Sequence, residues 1–231
     1  MPNWCYNYLS VEGPIDKIEK LKIQLNQPFT KMHDQWNMQT NKMEVTETVY
    51  SNPVFAFHNI YNHTQAGITD EQYIQQPDHK LGEPIRFDGN HWYDFNVREW
   101  GTKWDVAVRD DEEYPETELY HDVKGELGYK FNTAWSPPAP AIEKLSAQYP
   151  ELEFNLSYEE ETGWGGEIVF IDGQGSEIEA YGWKCRECDN TEEDTPYCEE
   201  CDFDTCPACG YNESDEACDK HKEGHNAHLS N

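Results

Sequence analysis

Residues 4–11 (WCYNYLSV) are aromatic and aliphatic, and a period of two places Cys5, Asn7, Leu9 and Val11 on one face. The pattern predicts a strand with that face in the core. Gly13-Pro14 then turns the chain, and proline suits the first position of a helix because its missing N–H is not needed there. Ile15, Ile18, Leu21 and Leu25 follow at near-helical spacing until Pro28 stops the run. Further on, Trp104, Val106 and Val108 alternate, as do Leu127, Tyr129 and Phe131, predicting two more strands. Ser136 is placed to cap a second helix, with Ile142, Leu145 and Tyr149 on one face and Pro150 after it. Leu152, Phe154, Leu156 and Tyr158 give the cleanest alternation in the chain, and IVFI at 168–171 reads as another strand.

The order is strand, helix, long interruption, strand, strand, helix, strand, strand. That is the split βαβ of an α+β, ferredoxin-like βαββαβ sandwich, extended by one strand and carrying an insertion after the first helix, at about 27–100. The insertion is Gln/Asn/His-rich with weak periodicity: turns, a short extended piece near 53–57 and a helix around 91–100 are expected there. Apolar periodicity ends before residue 183, so the chain divides into a ferredoxin-fold domain at 1–182 and a small module at 183–231.

Charge changes the picture next. Among 231 residues, 46 acids face 17 Lys and Arg, a formal net charge of −29. Direct binding to nucleic acid or to an anionic membrane needs a basic footprint, which this balance denies. Apolar residues make up 36% and aromatic ones 13%; disordered acidic chains are poor in aromatics, so a core is expected. No apolar run approaches the roughly 18 residues of a membrane span. The start, MPNWCYNYLS, has neither the basic nor the apolar region of a secretory signal, and a cytoplasmic location is expected.

Within 1–182 the candidate chemistry is sparse. His33, His58, His63, His79, His91 and His121 are scattered without metal spacing or a paired nucleophile, and no phosphate-binding glycine loop is present. GWGGE at 163–167 follows a strand but opens no helix. Cys5 is expected to be a small buried hydrophobe rather than a nucleophile. Trp100, Trp104 and Trp135 are expected in the core, with Gly101 permitting a tight turn. Acid pairs abound by number alone. No enzyme is indicated.

Seven of the eight cysteines lie between 185 and 218, in a segment of 47 residues whose single Leu, Ile or Val is Leu229. Such a piece cannot fold by burying apolar surface and needs a staple. Cys185/Cys188, Cys198/Cys201 and Cys206/Cys209 are C-x2-C pairs, and Cys218/His221 follows as C-x2-H. Thiolates two residues apart present both sulfurs to one tetrahedral ion, and three such pairs in succession predict two zinc ions. Sequential sites would join the first two pairs in one and Cys206, Cys209, Cys218 and His221 in the other. A cross-brace would join the first and third pairs, leaving the second pair to recruit ligands from the tail.

KCRECDN, YCEECDFDTCPACG and GHNAH at 224–228 resemble a ZZ-type zinc finger. The resemblance implies one site of Cys185, Cys188, Cys206 and Cys209 and a second of Cys198, Cys201, His225 and His228. It also implies that acidic side chains, here Asp202 and Asp204, receive a positively charged peptide N-terminus.

PNWCYNYLSVEG, REWGTKWD at 98–105, FNTAWSPP at 131–138 and YEEETGWGG ending near 166 resemble the YubB ferredoxin-like family, over most of residues 1–172. These proteins are carried by bacteriophages and conjugative plasmids, so the resemblance implies a mobile-element accessory protein acting in the host cytoplasm. The expected partner is a host protein with a basic surface, engaged by an acidic, nucleic-acid-like surface. Asp110, Asp111, Glu112, Glu113, Glu116 and Glu118 form the densest acidic run, expected on a loop between strands, with further clusters at 159–161 and 192–194. The alternative is a zinc-finger adaptor that reads a basic peptide.

Overall fold

The alternation at the N-terminus becomes strand β1 (Trp4–Glu12), whose inward residues Cys5, Asn7, Leu9 and Val11 are all completely buried. In the computed structural model, residues 2–74, 89–111 and 116–184 are described, together with short strands at 191–192, 197–198 and 203–204. Helix α1 (Ile15–Leu25) begins directly after Pro14 and buries Ile18, Leu21 and Leu25, while Ile15 stays exposed. The insertion then forms a hairpin of β2 (Phe29–Asn37) and β3 (Lys42–Tyr50), a 3-10 turn at Phe57–Asn59, and helices α2 (Asp70–Ile74) and α3 (Trp92–Trp100). The main sheet resumes with β4 (Glu118–Val123) and β5 (Glu126–Ala134), followed by helix α4 (Ala139–Gln148). Strands β6 (Glu153–Glu160), β7 (Gly165–Ile171) and β8 (Gln174–Tyr181) complete it. Four two-residue strands follow: β9 (Trp183–Lys184), β10 (Thr191–Glu192), β11 (Tyr197–Cys198) and β12 (Phe203–Asp204).

The six-stranded sheet has the order β4-β5-β1-β6-β7-β8 and is antiparallel throughout. Its first four strands, with α1 and α4, are the split βαβ arrangement expected from the sequence. Helices α1 and α4 bury Leu21, Leu25, Ile142 and Leu145 against the face carrying Leu9, Phe131 and Leu156. Two strands rather than one extend the sheet beyond β6.

Several expectations are corrected. Residues 104–108 form no strand; the edge strand is β4, fourteen residues later. The alternation of Trp104 and Val106 has another cause. The Asp105 carboxylate between them accepts backbone N–H groups of Phe57 and His58 at 2.8 and 3.0 Å, and of Val106 at 2.8 Å. A backbone held by a side chain is withdrawn from a ladder. Ser136 caps nothing. Its hydroxyl donates to the Gly101 carbonyl at 2.6 Å, and α4 starts directly after Pro138 without a side-chain cap. The extended piece at 53–57 is irregular chain leading into the 3-10 turn. The helix expected around 91–100 is α3; it is capped by the His91 ring, which accepts the Tyr93 N–H, and ends at Gly101 in the left-handed region, φ +80°. A Cβ at Gly101 would also lie 2.5 Å from Pro140, so only glycine fits this turn.

Trp100 is buried as expected, but Trp104 and Trp135 are 40% and 43% exposed. They flank the Lys103 ammonium, 4.5 and 5.1 Å from their ring centres, with Tyr93 at 6.0 Å. Favourable cation–π attraction at the surface holds these rings where burial was expected to. Trp135 itself sits at φ +71°. Cys5 meets its expectation: burial, opposed in part by a hydrogen bond to Thr133, pushes its thiol up to about 12, so it stays a protonated, unreactive thiol at neutral pH.

Candidate functional site

Because the helices cover one face of the main sheet, every second residue of its strands points the other way. Cross-strand register assembles that open face. Tyr8 of β1 lies between Lys130 and Ser157, Ser157 opposes Glu167, and Glu167 opposes Glu179. Tyr6 lies between Asn132 and Glu159. At one end Glu12 pairs directly with Glu126 on one side and Glu153 on the other, and all three are exposed. With Glu118 opposite Lys130, the face carries seven glutamates against one lysine. Like charges directly opposite each other destabilise a sheet; in the row Glu126–Glu12–Glu153 Glu126 is met by the His121 ring at 3.2 Å, while no partner of Glu12 or Glu153 is found among the described residues.

The middle of this face is aromatic. Tyr6, Tyr8 and Tyr120 are 42%, 48% and 53% exposed. Tyr8 and Tyr120 meet edge to face with centroids 6.4 Å apart. Tyr120 lies over Gly128, where a Cβ would come within 2.7 Å of its ring, so the glycine makes room for the tyrosine.

The acidic run placed by sequence reasoning lies beside this face. Asp110, Asp111 and Glu116 sit in the connection to β4, and Glu118 is on β4 itself; Glu112 and Glu113 lie outside the described residues. Each described member has an internal partner. Asp110 accepts the Ser51 backbone N–H and hydroxyl, both at 2.7 Å, which hold its carboxyl below the usual range. Asp111 pairs with Arg109 at 3.3 Å, Glu116 with Asn132 at 3.2 Å and Glu118 with Lys130 at 3.4 Å. In the cluster at 159–161, Glu160 is buried and accepts the Thr162 N–H at 2.7 Å, so that cluster is not a row of exposed acids.

A second candidate lies in the insertion. The β2–β3 hairpin, α2 and α3 enclose a pocket of about 370 Å³ lined by Lys31, His33, Tyr73, Trp92, Trp104 and Arg109 among others. Sequence reasoning passed over it because the alternation of Met43, Val45 and Val49 in β3 is interrupted by Glu47, and β3 is exposed or half-exposed throughout. The fold also gathers histidines that are far from forming a motif. His58 stacks on Phe29 at 4.1 Å and faces His63 at 6.4 Å, and His63 bonds Asp70 at 2.8 Å. Burial pushes His58 down to about 4 against the pull of Asp105, and the Lys31 ammonium adds to the push. Among the described residues no group of His, Cys, Asp and Glu is arranged to hold a metal ion.

The predicted zinc ligands Cys185, Cys188, Cys201, Cys206, Cys209, Cys218, His221, His225 and His228 lie outside the described residues, as does Asp202. The backbones of Cys198 and Asp204 are described, as the last residues of β11 and β12. No helix among the described residues is long and apolar enough to cross a membrane.

Comparison with known proteins bears on the fold. The model of the ferredoxin-like domain in Api92-like protein matches residues 103–204. This agrees with the ferredoxin-like expectation for the second half of the chain and runs on past Trp183. The resemblances to the YubB family and to ZZ fingers rest on the sequence motifs alone. No curated protein matches. A solved structure, the protein api92 from Yersinia pseudotuberculosis, is similar at 11% identity and a TM-score of 0.43, covering 79% of this chain and all of its own.

Proposed function

We propose that this protein is a non-enzymatic binding protein whose open sheet face captures a basic surface of another protein. The observation that carries the reading is the row Glu126–Glu12–Glu153, three glutamates side by side on adjacent strands. A cationic partner relieves their repulsion, so the row favours the complex over the free protein. Tyr6, Tyr8 and Tyr120 supply the aromatic anchors on which interface energy concentrates, and the surrounding charge speeds encounter. In the mobile-element setting that the YubB resemblance implies, the partner is a host protein in the cytoplasm. A host nucleic-acid-binding site is the case in which DNA competes.

The test is capture from a bacterial lysate by the wild type and by a Glu12→Gln/Glu126→Gln/Glu153→Gln variant. The variant should be slightly more stable, by up to about 1 kcal/mol per relieved pair, yet should lose basic proteins that the wild type retains at low salt and releases at high salt. Equal retention of the same proteins by both would overturn the reading. A six-fold neutralisation of Asp110, Asp111, Glu112, Glu113, Glu116 and Glu118 serves as comparison. Its described members are already paired within the chain, so it should weaken capture less than the three-glutamate change.

For the cysteine segment we propose two zinc ions, held by Cys185, Cys188, Cys198, Cys201, Cys206, Cys209, His225 and His228, or with Cys218 and His221 in place of the two histidines. The backbone pairing of Cys198 with Phe203 supports it, since a C-x2-C knuckle at Cys198/Cys201 needs a chain reversal there. Zinc would supply the folding energy that this segment's apolar residues lack. Metal analysis of protein purified without chelator should give two zinc per chain, and replacing His225 and His228 by alanine should remove one. If that zinc is lost instead on replacing Cys218 and His221, the sequential ligand set is right. An adaptor role would rest on this module and would be lost on changing Asp202 and Asp204 while the sheet-face variant kept its partner.

A further inference from the structure

The pocket of the insertion reverses the charge of the protein around it. In a chain with 46 acids and 17 bases, its lining includes Lys31, His33 and Arg109 and, among the described residues, no Asp or Glu. At about 370 Å³ it falls within the size range of small-molecule sites.

Lys31 is the decisive group. It reaches from β2 to a position 5.5 Å from the ring centres of both Tyr73 and Trp100. Tyr73 donates to Asn96 Oδ1 at 2.8 Å, and the Asn96 amide donates to the Lys103 carbonyl at 2.8 Å. Tyr73 and Asn96 are buried, so this chain is a fixed floor. An ammonium has three N–H groups to donate. No ion pair to Lys31 is found among the described residues. The carboxylate that acts on it, Asp105, is already engaged by the Phe57 and His58 N–H groups. Burial works against the charge on Lys31, yet Tyr73 and Asp105 turn the net shift upward, so the group is a cation at neutral pH. Lys31 is half-buried, and a cation partly withdrawn from water gains from an anionic partner. Trp92 and Trp104 add indole rings to the lining, and Arg109, half-exposed and paired with Asp111 at 3.3 Å, stands beside them.

We propose that this pocket binds a small planar anion, an aromatic ring bearing a phosphate or carboxylate. The anionic group sits on Lys31 with Arg109 beside it, and the ring lies against Trp92 and Trp104. A nucleotide and an aromatic carboxylate share that chemistry. The site is separate from the acidic sheet face, so neither proposal depends on the other.

The experiment is calorimetric titration of the full chain with adenosine 5′-monophosphate and with indole-3-acetate, using adenosine and inorganic phosphate as half-ligands. At least one ring-bearing anion should bind, and both half-ligands about tenfold or more weaker, since each lacks one of the two contacts. Lys31→Met should weaken the ring-bearing anion by about tenfold or more, the worth of one charge-assisted hydrogen bond. Arg109→Gln, at a half-exposed position, should weaken it several-fold and guards against a folding defect in the first variant. Preference for the nucleotide or for the carboxylate identifies the source of the ligand. The proposal is overturned if neither ring-bearing anion binds, if inorganic phosphate alone binds as tightly, or if both variants bind as the wild type does.

Discussion

Truncating Phe131 to alanine should remove about 4 kcal/mol of stability, the range for a buried phenylalanine being about 3–5 kcal/mol. Few side chains join more of this fold. Phe131 is completely buried on β5, opposite Asn7 of β1. It stacks on Phe55 with centroids 4.9 Å apart and meets Phe57 edge to face at 5.9 Å. Phe55 and Phe57 belong to the insertion, and Phe57 in turn packs on Trp100 at 5.8 Å. Removing the ring therefore opens a cavity at the seam between the main sheet and the insertion, where neither side can close it alone. Because marginal stability is about 5–15 kcal/mol, the variant should unfold at much lower urea with an unchanged slope. Phe131→Leu, which keeps most of the volume, should cost clearly less. A loss below about 1 kcal/mol in the alanine variant would show that the insertion does not pack on the sheet as described.

Acid should destabilise the protein well above the carboxylate range, through His58. Its folded value is about 4, against about 6.5 unfolded. Below the unfolded value the open chain takes a proton that the native chain refuses, so stability falls as pH drops from about 6.5. The loss is complete near the folded value and amounts to about 3 kcal/mol. Above about pH 7 the group contributes no slope. Urea midpoints of wild type and His58→Phe at pH 7, 5.5 and 4.5 isolate the effect, since phenylalanine keeps the stack on Phe29. The variant should lose less stability between pH 7 and 4.5 than the wild type. Carboxylates held low by partners, such as Glu99 beside Arg98 and Lys144, remain in both proteins and cancel in the comparison. Parallel pH profiles would exclude His58 as the origin.

The sheet-face and pocket proposals predict different losses and are separable in one protein. Neutralising Glu12, Glu126 and Glu153 leaves Lys31 and its floor untouched, while Lys31→Met leaves the open face as it is.

Sequence alone determined the sandwich. The alternation of Cys5, Leu9 and Val11, of Leu127, Tyr129 and Phe131, and of Phe154 and Leu156 is a local property, because a strand with one buried face must repeat every two residues. The helices α1 and α4 were visible through the corresponding helical period, and the burial of Cys5 followed from its place in β1. The density of acids was also plain in the sequence. Which acids stand together was not. Glu12, Glu126 and Glu153 become neighbours only through strand register across more than a hundred residues, while the conspicuous run at 110–118 turned out to be paired internally wherever it is described. The Trp104–Val106–Val108 alternation misled because a single carboxylate, Asp105, held that backbone away from any ladder. Trp104 and Trp135 were expected in the core on size alone, and only the placement of Lys103 between them explains why they stay at the surface. The pocket was the least visible feature. Its residues come from β2, β3, α2, α3 and the chain around Trp104 and Arg109, and a cavity is a property of how elements leave space between them, which no local periodicity records.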